Sequence, residues 1–466
     1  MKEVFRDKKS LDSRCIVKYG LSDEILMENA AIAMKNLIQK VTHKGSVITI
    51  VCGSGNNGAD GYTLARHLAG SYMVRVLPFK EPKSELCVKQ SERAFAVGVQ
   101  SAKKILPCDV VVDCIVGSGM KHQLDEDLIR LLEEMQKSAR IKIACDIPSG
   151  IDAFGWVETS AFRADYTLTM GGLSLCLLSD QAKEYVGEIV IGDLGVDESK
   201  YAVNSQIKML ERSDLKLPKR NQENAHKGNF GHLCVYAGNK SGAASLAGLA
   251  ALYSGVGSVS IVGSKTEYFP ELMYQEALPQ NLSAFAVGMG MGEKIPECLN
   301  EIDFELPLIL DADILRHQQI GEILQHFKKV VLTPHAGEFL SLWEICMKKS
   351  LDKQKFLRDK IPYLLEMSAC YPEAVFLLKG ANVYLARNNH LFINTFGNVA
   401  LAKAGSGDVL SGIIASLLAQ GRNTLDAAIN GSLMHTFSAE EFKDKNYALH
   451  PLGLIRSLEV MKNKII

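Results

Sequence analysis

The sequence predicts two α/β domains in series, the first a doubly wound three-layer fold with helices on both faces of a parallel sheet. Three observations carry this. Residues 46–52, 72–77, 110–115, 141–146 and 164–170 are short, continuous apolar runs, as in strands covered on both faces. Helically spaced segments at 21–41 and 58–69 alternate with them. Around 197–224 the texture turns charged and polar, and the alternation then restarts at 232–237, 258–262, 284–288, 306–311, 330–333 and 374–379, with a last strong helix at 407–420. At 466 residues the chain is long enough for two domains or more. The expected division is a first domain over 1–205, a linker over 206–222 and a second domain over 223–466.

Composition narrows the class. Lys and Arg number 52 and Asp and Glu 53, a net charge of -1, which argues against a nucleic-acid footprint or a polybasic membrane patch. The eleven cysteines are scattered without a C-x-x-C pair, and several fall in apolar runs, so they read as buried thiols of a reducing, cytoplasmic protein. The N-terminal ten residues are charged without an apolar core, unlike a signal peptide. The uncharged stretch after Lys240 is interrupted by Ser and Gly and reads as a buried helix followed by a core strand, not a membrane span.

Gly53-Ser54-Gly55-Asn56-Asn57-Gly58-Ala59-Asp60-Gly61 follows the first strand and opens a helix. Its glycines permit close backbone approach, and a helix N-terminus favours an anion. The strand after it ends Leu77-Pro78-Phe79-Lys80, without the acidic residue that an ordinary dinucleotide fold uses to hold a ribose. Asp113, ahead of Gly117-Ser118-Gly119, and Asp146, in Asp146-Ile147-Pro148-Ser149-Gly150, stand at successive strand ends. Asx turns and helix caps explain any one of these residues; the three strand ends together suggest a ligand crevice. Asn57, Asp113 and Ser149 offer one carboxylate among neutral oxygens, a set suited to a hard monovalent cation.

In the second half, Ala404-Gly405-Ser406-Gly407-Asp408 reads as an anion nest at a helix start, with Asp408 as a general base for phosphoryl transfer. Lys379-Gly380-Ala381, ending an apolar strand, adds a cation and a small-residue turn for a nucleotide. Gly288-Met289-Gly290 is a further close-approach loop, and His335 ends another strand, where a lone histidine is more often structural. There is no G-x-x-x-x-G-K-[ST] and no H-R-D. The pattern is that of a sugar-kinase type of site without a P-loop.

With these motifs in both halves and in order, the chain resembles the bifunctional NAD(P)H-hydrate repair enzymes, in which an epimerase domain is fused to a nucleotide-dependent dehydratase. The matching segments are Leu26-Met27-Glu28-Asn29-Ala30, residues 53–61, 113–119 and 146–152, Leu310-Asp311-Ala312-Asp313, and residues 332–339, 377–381 and 405–412. The resemblance implies an N-terminal Rossmann-like domain and a C-terminal ribokinase-like domain. It implies that Asn57, Asp113 and Ser149 hold a potassium ion. Asn56, Asn57, Gly58, Ala59, Asp60, Gly117, Ser118, Gly119, Met120, Lys121, His122, Gln123 and Asp146 would contact the hydrated cofactor in the epimerase. In the dehydratase, Ala243, Gly290, His335 and Asp408 would face the substrate, and Lys379, Gly380, Ala381, Asn382, Val383 and Gly407 the nucleotide. The implied partners are hydrated NADH or NADPH and ADP, or ATP, with Mg2+; a homo-oligomer is expected. Asp146 is the acid/base expected for epimerisation and Asp408 the base for dehydration.

The sequence departs from the family pattern in three places. Ala59 replaces a usual glycine, the 238–244 loop is short, and Phe396-Gly397-Asn398-Val399-Ala400-Leu401 lacks the usual Asn-Pro-Gly-Met run. The competing expectation is a vitamin-precursor or sugar kinase fused to a non-catalytic Rossmann-like binding module. Release of AMP and phosphate, instead of a retained phosphoryl product, separates the two.

Overall fold

The computed structural model describes residues 1–117, 124–221, 223–263, 266 and 268–461. The chain divides into two compact units, Glu3–Ser205 and Gln206–Ile466, the latter joined by Met1–Lys2.

The first unit is built on a seven-stranded parallel sheet. Its strand order is Gln100–Ser101, Met73–Pro78, Val47–Cys52, Cys108–Cys114, Ala139–Cys145, Tyr166–Met170 and Glu188–Gly192. The chain starts in the middle, walks to one edge and returns to fill the other side. The order therefore reverses between Val47–Cys52 and Cys108–Cys114, and the loops leaving these two strands flank the crevice where open α/β sheets bind ligands. Central residues such as Ile48, Ile50, Val110, Val112 and Ile143 are fully buried, which is why their strands read as unbroken apolar runs. Helix Asp23–Val41 starts where the Ser22 hydroxyl accepts the Ile25 amide, and Glu126–Ser138 where the Asp125 carboxylate accepts the Leu128 amide.

The second unit repeats the plan. Met273–Gln275, Ser258–Val262, His232–Tyr236, Ala284–Val287, Leu308–Leu310, Val330–Leu332 and Ala374–Leu378 run parallel, with a switch point between His232–Tyr236 and Ala284–Val287. The sheet then continues through the antiparallel strands Val383–Arg387 and His390–Asn394. Helices Ser241–Tyr253, Ser406–Ala419 and Thr424–Ser438 share one apolar core with the sheet.

The expected linker over 206–222 requires correction. Ile207–Met209 pairs in parallel with Leu391–Ile393 and adds a strand to the second unit's sheet. A three-residue, half-buried strand carries no alternation strong enough to show within charged surroundings. The uncharged stretch after Lys240 folds as helix Ser241–Tyr253 and strand Ser258–Val262, separated by Gly255 at φ 98°. No helix among the described residues is long and apolar enough to cross a membrane. All eleven cysteines are free thiols.

Candidate active sites

At the first switch point the glycine loop is pressed onto the sheet. A Cβ on Gly53 would stand 2.0 Å from the Ile115 carbonyl oxygen, and one on Gly58 2.0 Å from that of Gly53. One on Gly61 would meet Cys52 Sγ at 2.7 Å, so the helix Asn56–Leu68 lies directly on the strand ends. Among the described residues, Gly55 at the head of that helix has open space around it, and no side chain caps the helix. Asn56, Asn57 and Gly58 therefore form an uncapped first turn facing the crevice, while Ala59 is buried in its second.

Asp113 is fully buried at its strand end. Its Oδ2 accepts the Ser149 amide at 2.7 Å, and its Oδ1 accepts the Ser149 hydroxyl at 2.7 Å and the Ile115 amide at 3.1 Å. Burial pushes the carboxyl up to about 6, against the pull of these hydrogen bonds. Ser149 Oγ in turn accepts the Val116 amide. The next residue, Gly117, lies between two other side chains: a Cβ there would be 3.5 Å from Asn57 Oδ1 and 3.6 Å from Asp146 Oδ2. Asn57, Gly117 and Asp146 thus meet at one point, joined through Val116 to Asp113 and Ser149. The Asn57 Nδ2 is buried and has no hydrogen-bond partner among the described residues. Desolvation, with Asp146 and Asp12 near by, pushes the Asp60 carboxyl well above the usual range. Ser118, Gly119, Met120, Lys121, His122 and Gln123 lie outside the described residues.

Asp146 has φ 64°, a conformation that L-residues other than Asn and Asp seldom hold, and one typical of functional sites. Its Oδ1 accepts the Lys8 ammonium at 2.6 Å. Sequence reasoning missed Lys8, which looks like one more charge in a polar N-terminus.

The second crevice centres on Lys379. Its Nζ donates to Asp311 Oδ1 at 2.8 Å, and Glu338 Oε2 stands at 3.8 Å. Burial works to lower this lysine, but Asp311, Glu338 and Asp408 outweigh it and hold it above its ordinary value. Gly407 abuts the ammonium, its Cβ position 3.4 Å from Nζ. Asp408 sits in the first turn of helix Ser406–Ala419, which starts at Gly405 (φ 86°) with no side-chain cap. Burial, then repulsion from Asp311, pushes the Asp408 carboxyl up to about 6, partly offset by Lys379. Gly380 and Ala381 are exposed and Asn382 and Val383 buried in the hairpin that follows Lys379.

His335 caps helix Ala336–Met347. Its Nδ1 accepts the Gly337 and Glu338 amides, Glu338 accepts the His335 amide, and Nε2 lies 3.2 Å from Glu338 Oε1. This side chain is half exposed beside Lys379, whose amide donates to the Pro334 carbonyl. Ala243 and Gly290 meet through Lys240, whose amide donates to Gly290 O and whose carbonyl accepts the Ala243 amide. A Cβ on Gly288 would be 1.8 Å from Asp311 O, which draws this pair of loops against the Lys379 cluster.

Three side chains that support this site received no role in the sequence reading. Asp311 holds Lys379 and accepts the Ser411 hydroxyl at 2.8 Å. Glu338 ties His335 to Lys379. Buried His435 contacts both Oγ and the carbonyl of Ser406, and burial pushes it down to about 4, so it is neutral and braces the glycine turn.

Two parallel-sheet crevices, one carrying a buried acid network and the other a glycine nest with an adjoining acid and lysine, define a two-site α/β enzyme. A family described as NAD(P)H-hydrate dehydratase matches residues 233–459, and one described as YjeF-related protein N-terminus matches residues 23–176. The chain is 45% identical to the bifunctional NAD(P)H-hydrate repair enzyme of Helicobacter pylori, over 98% of this chain and 100% of that protein. It is 31% identical to the enzyme of the same name from Archaeoglobus fulgidus, over 89% and 88%. A Bacillus subtilis ADP/ATP-dependent NAD(P)H-hydrate dehydratase, crystallised with ATP and Mg2+, matches 55% of this chain and 97% of its own at 26% identity, with a TM-score of 0.48. The chain belongs to the bifunctional NAD(P)H-hydrate repair enzyme family.

Proposed function

We propose that the chain restores hydrated NADH and NADPH, the first unit interconverting the two epimers and the second dehydrating one of them at the expense of ADP or ATP. The observation that carries the chemistry is Asp408 at an uncapped helix head with Gly407 against Lys379. Water is a poor leaving group. Asp408 takes the proton of the ring hydroxyl as its oxygen attacks the terminal phosphorus, and the bond to the departing AMP (from ADP) or ADP (from ATP) breaks. The amides of the 405–408 turn and the Lys379 ammonium stabilise the transferred charge. The ring-nitrogen lone pair then expels phosphate to leave an iminium, and loss of a proton from the adjoining ring carbon regenerates the dihydropyridine. Ala243, Gly290 and His335 are proposed to face the substrate, and the 379–383 turn the nucleotide.

In the first unit Asp146 takes the proton from the hydroxyl on the hydrated carbon while the adjoining carbon–nitrogen bond opens to an aldehyde. Return of the nitrogen to the other face and of the proton to oxygen gives the opposite epimer. Asn56, Asn57, Gly58, Ala59, Asp60 and the 117–123 loop are proposed to hold the cofactor there. A potassium ion fits Asp113, Ser149 and Asn57, since Asp113 is buried and makes no ion pair among the described residues. When bound, the ion supplies a fixed positive charge at the crevice. In the second unit, Mg2+ would come with the nucleotide and would neutralise phosphate charge when bound. A cytoplasmic, homo-oligomeric protein completes the proposal.

The test follows absorbance recovery of hydrated NADH with ADP and with ATP. Recovery with stoichiometric AMP and phosphate from ADP supports the reading. A phosphorylated product that persists would instead establish the kinase alternative.

A further inference from the structure

We infer that Lys8 is the positioning residue for Asp146; the inference rests on the epimerase reading above. Three acceptors surround the Lys8 Nζ: Asp146 Oδ1 at 2.6 Å, Thr169 Oγ1 at 2.8 Å and the Met170 carbonyl at 3.1 Å. An ammonium has three protons, so all are engaged and the nitrogen is held at one place. The two side chains are 11% and 18% exposed, which keeps the charge-assisted bond largely out of water.

The division between the two carboxylate oxygens gives this pairing its consequence. Oδ1 is taken by Lys8, with Thr169 Oγ1 at 3.4 Å, whereas Oδ2 faces Gly117 and Asn57. Lys8 therefore turns one oxygen inward and leaves the other aimed at the crevice. It also answers more than one charge. Asp12 feels both Lys8 and Asp146, so one ammonium serves two acidic groups.

The N-terminal segment is fastened so that Lys8 reaches this position. Val4 and Phe5 pair with Leu173 and Ser174, immediately after Thr169 and Met170. Lys8 starts the helix Lys9–Tyr19, whose Arg14 donates to the Lys200 carbonyl and whose Asp12 accepts the Tyr201 hydroxyl at 2.7 Å. Lys8, Asp12 and Tyr201 all lie outside residues 23–176, the part matched by the N-terminal family. The epimerase site thus extends beyond that segment at both ends.

The test measures epimerisation of hydrated NADH in the full chain, with dehydration of the reactive epimer as an internal control. Without the ammonium the Asp146 carboxylate is free to rotate, and misplacement by about 1 Å costs roughly 10²-fold. Lys8→Ala should lower kcat for epimerisation by about that factor, leave KM within about twofold and leave dehydration unchanged. Methylammonium or ethylammonium should restore part of the rate, whereas tetramethylammonium, which has no N–H, should not. Lys8→Met keeps the apolar stem and serves if Lys8→Ala does not fold. Epimerisation at the parent rate overturns the inference, and so does a loss that no alkylammonium restores. A parent chain that dehydrates but does not epimerise overturns the epimerase reading itself; an active parent with an unaffected variant overturns only the role of Lys8.

Discussion

Lys379 donates to Asp311 at 2.8 Å while its ammonium stands 3.4 Å from the Cβ position of Gly407. The Lys379 ammonium is therefore already tied to a buried carboxylate, and the glycine turn closes directly upon it. Asp311 is held from its other oxygen by Ser411, on the helix whose first turn carries Asp408. One network thus fixes Lys379, the glycine turn and the helix that carries Asp408 relative to one another, as a site of preorganised charge requires.

Asp408→Asn keeps the size and polarity of the side chain and removes the base, so dehydration should fall by about 10²–10⁴-fold. The same change should stabilise the second unit at neutral pH. The folded carboxyl titrates near 6, above its ordinary 3.8. Its contribution to stability is thus fully present below the unfolded value and is lost as pH rises through about 6. The amide does not ionise, so Asp408→Asn should show a higher Tm than the parent at pH 7.5, with the difference shrinking toward pH 4. An equal Tm difference at both pH values would contradict the assignment.

The pH dependence of dehydration should carry the same signature. With Asp408 required in its ionised form, the rate should fall on the acid side with a midpoint near 6. Asp311 is one of the two causes that raise it, so Asp311→Asn should move this acid limb to lower pH while Lys379 remains beside Asp408. A pH–rate profile that moves the other way would show that Lys379, released from Asp311, no longer faces the base.

Potassium should stabilise the first unit specifically. Asp113 is a buried carboxylate that makes no ion pair among the described residues, and a cation offsets part of its desolvation cost. Thermal unfolding in potassium should occur at a higher temperature than in tetramethylammonium at equal ionic strength. Asp113→Ala should abolish the difference. Equal transitions for the parent protein in the two salts would remove the cation from the proposal.

The sequence made local features visible and concealed distant partnerships. The 53–61 loop and the 404–408 turn could be read because each joins an apolar run to a helix within a few residues. Asp113 and Asp146 could be read because they end strands. Asp311 lies 68 residues from Lys379 and 100 from Ser411, and only the parallel sheet brings those strand ends together. Lys8 lies 138 residues from Asp146, and nothing within its own helix distinguishes it from Lys9. The 207–209 strand was hidden by its shortness, since three residues cannot establish a period. His335 showed as a strand-end histidine, but its capping role depends on Glu338 folding back onto it.

The last prediction concerns the fusion of the two units. Dehydration should be stereospecific, because only one epimer can present its hydroxyl to Asp408 and to the phosphoryl donor together. A mixture of epimers should therefore recover fully in one phase only while the first unit supplies the reactive form. Asp146→Asn is a clean test, because asparagine accepts the left-handed backbone at φ 64° and retains an oxygen for Lys8, but cannot take the proton. The variant should give a fast phase ending when the reactive epimer is exhausted, then a slow remainder set by spontaneous interconversion. Because the glycine loop is untouched, KM for epimerisation should change far less than kcat. Adding parent protein during the slow phase should return recovery to the fast rate. Complete single-phase recovery by Asp146→Asn at the parent rate would show that this carboxylate does not move the proton, and that the crevice at the first switch point epimerises through another group.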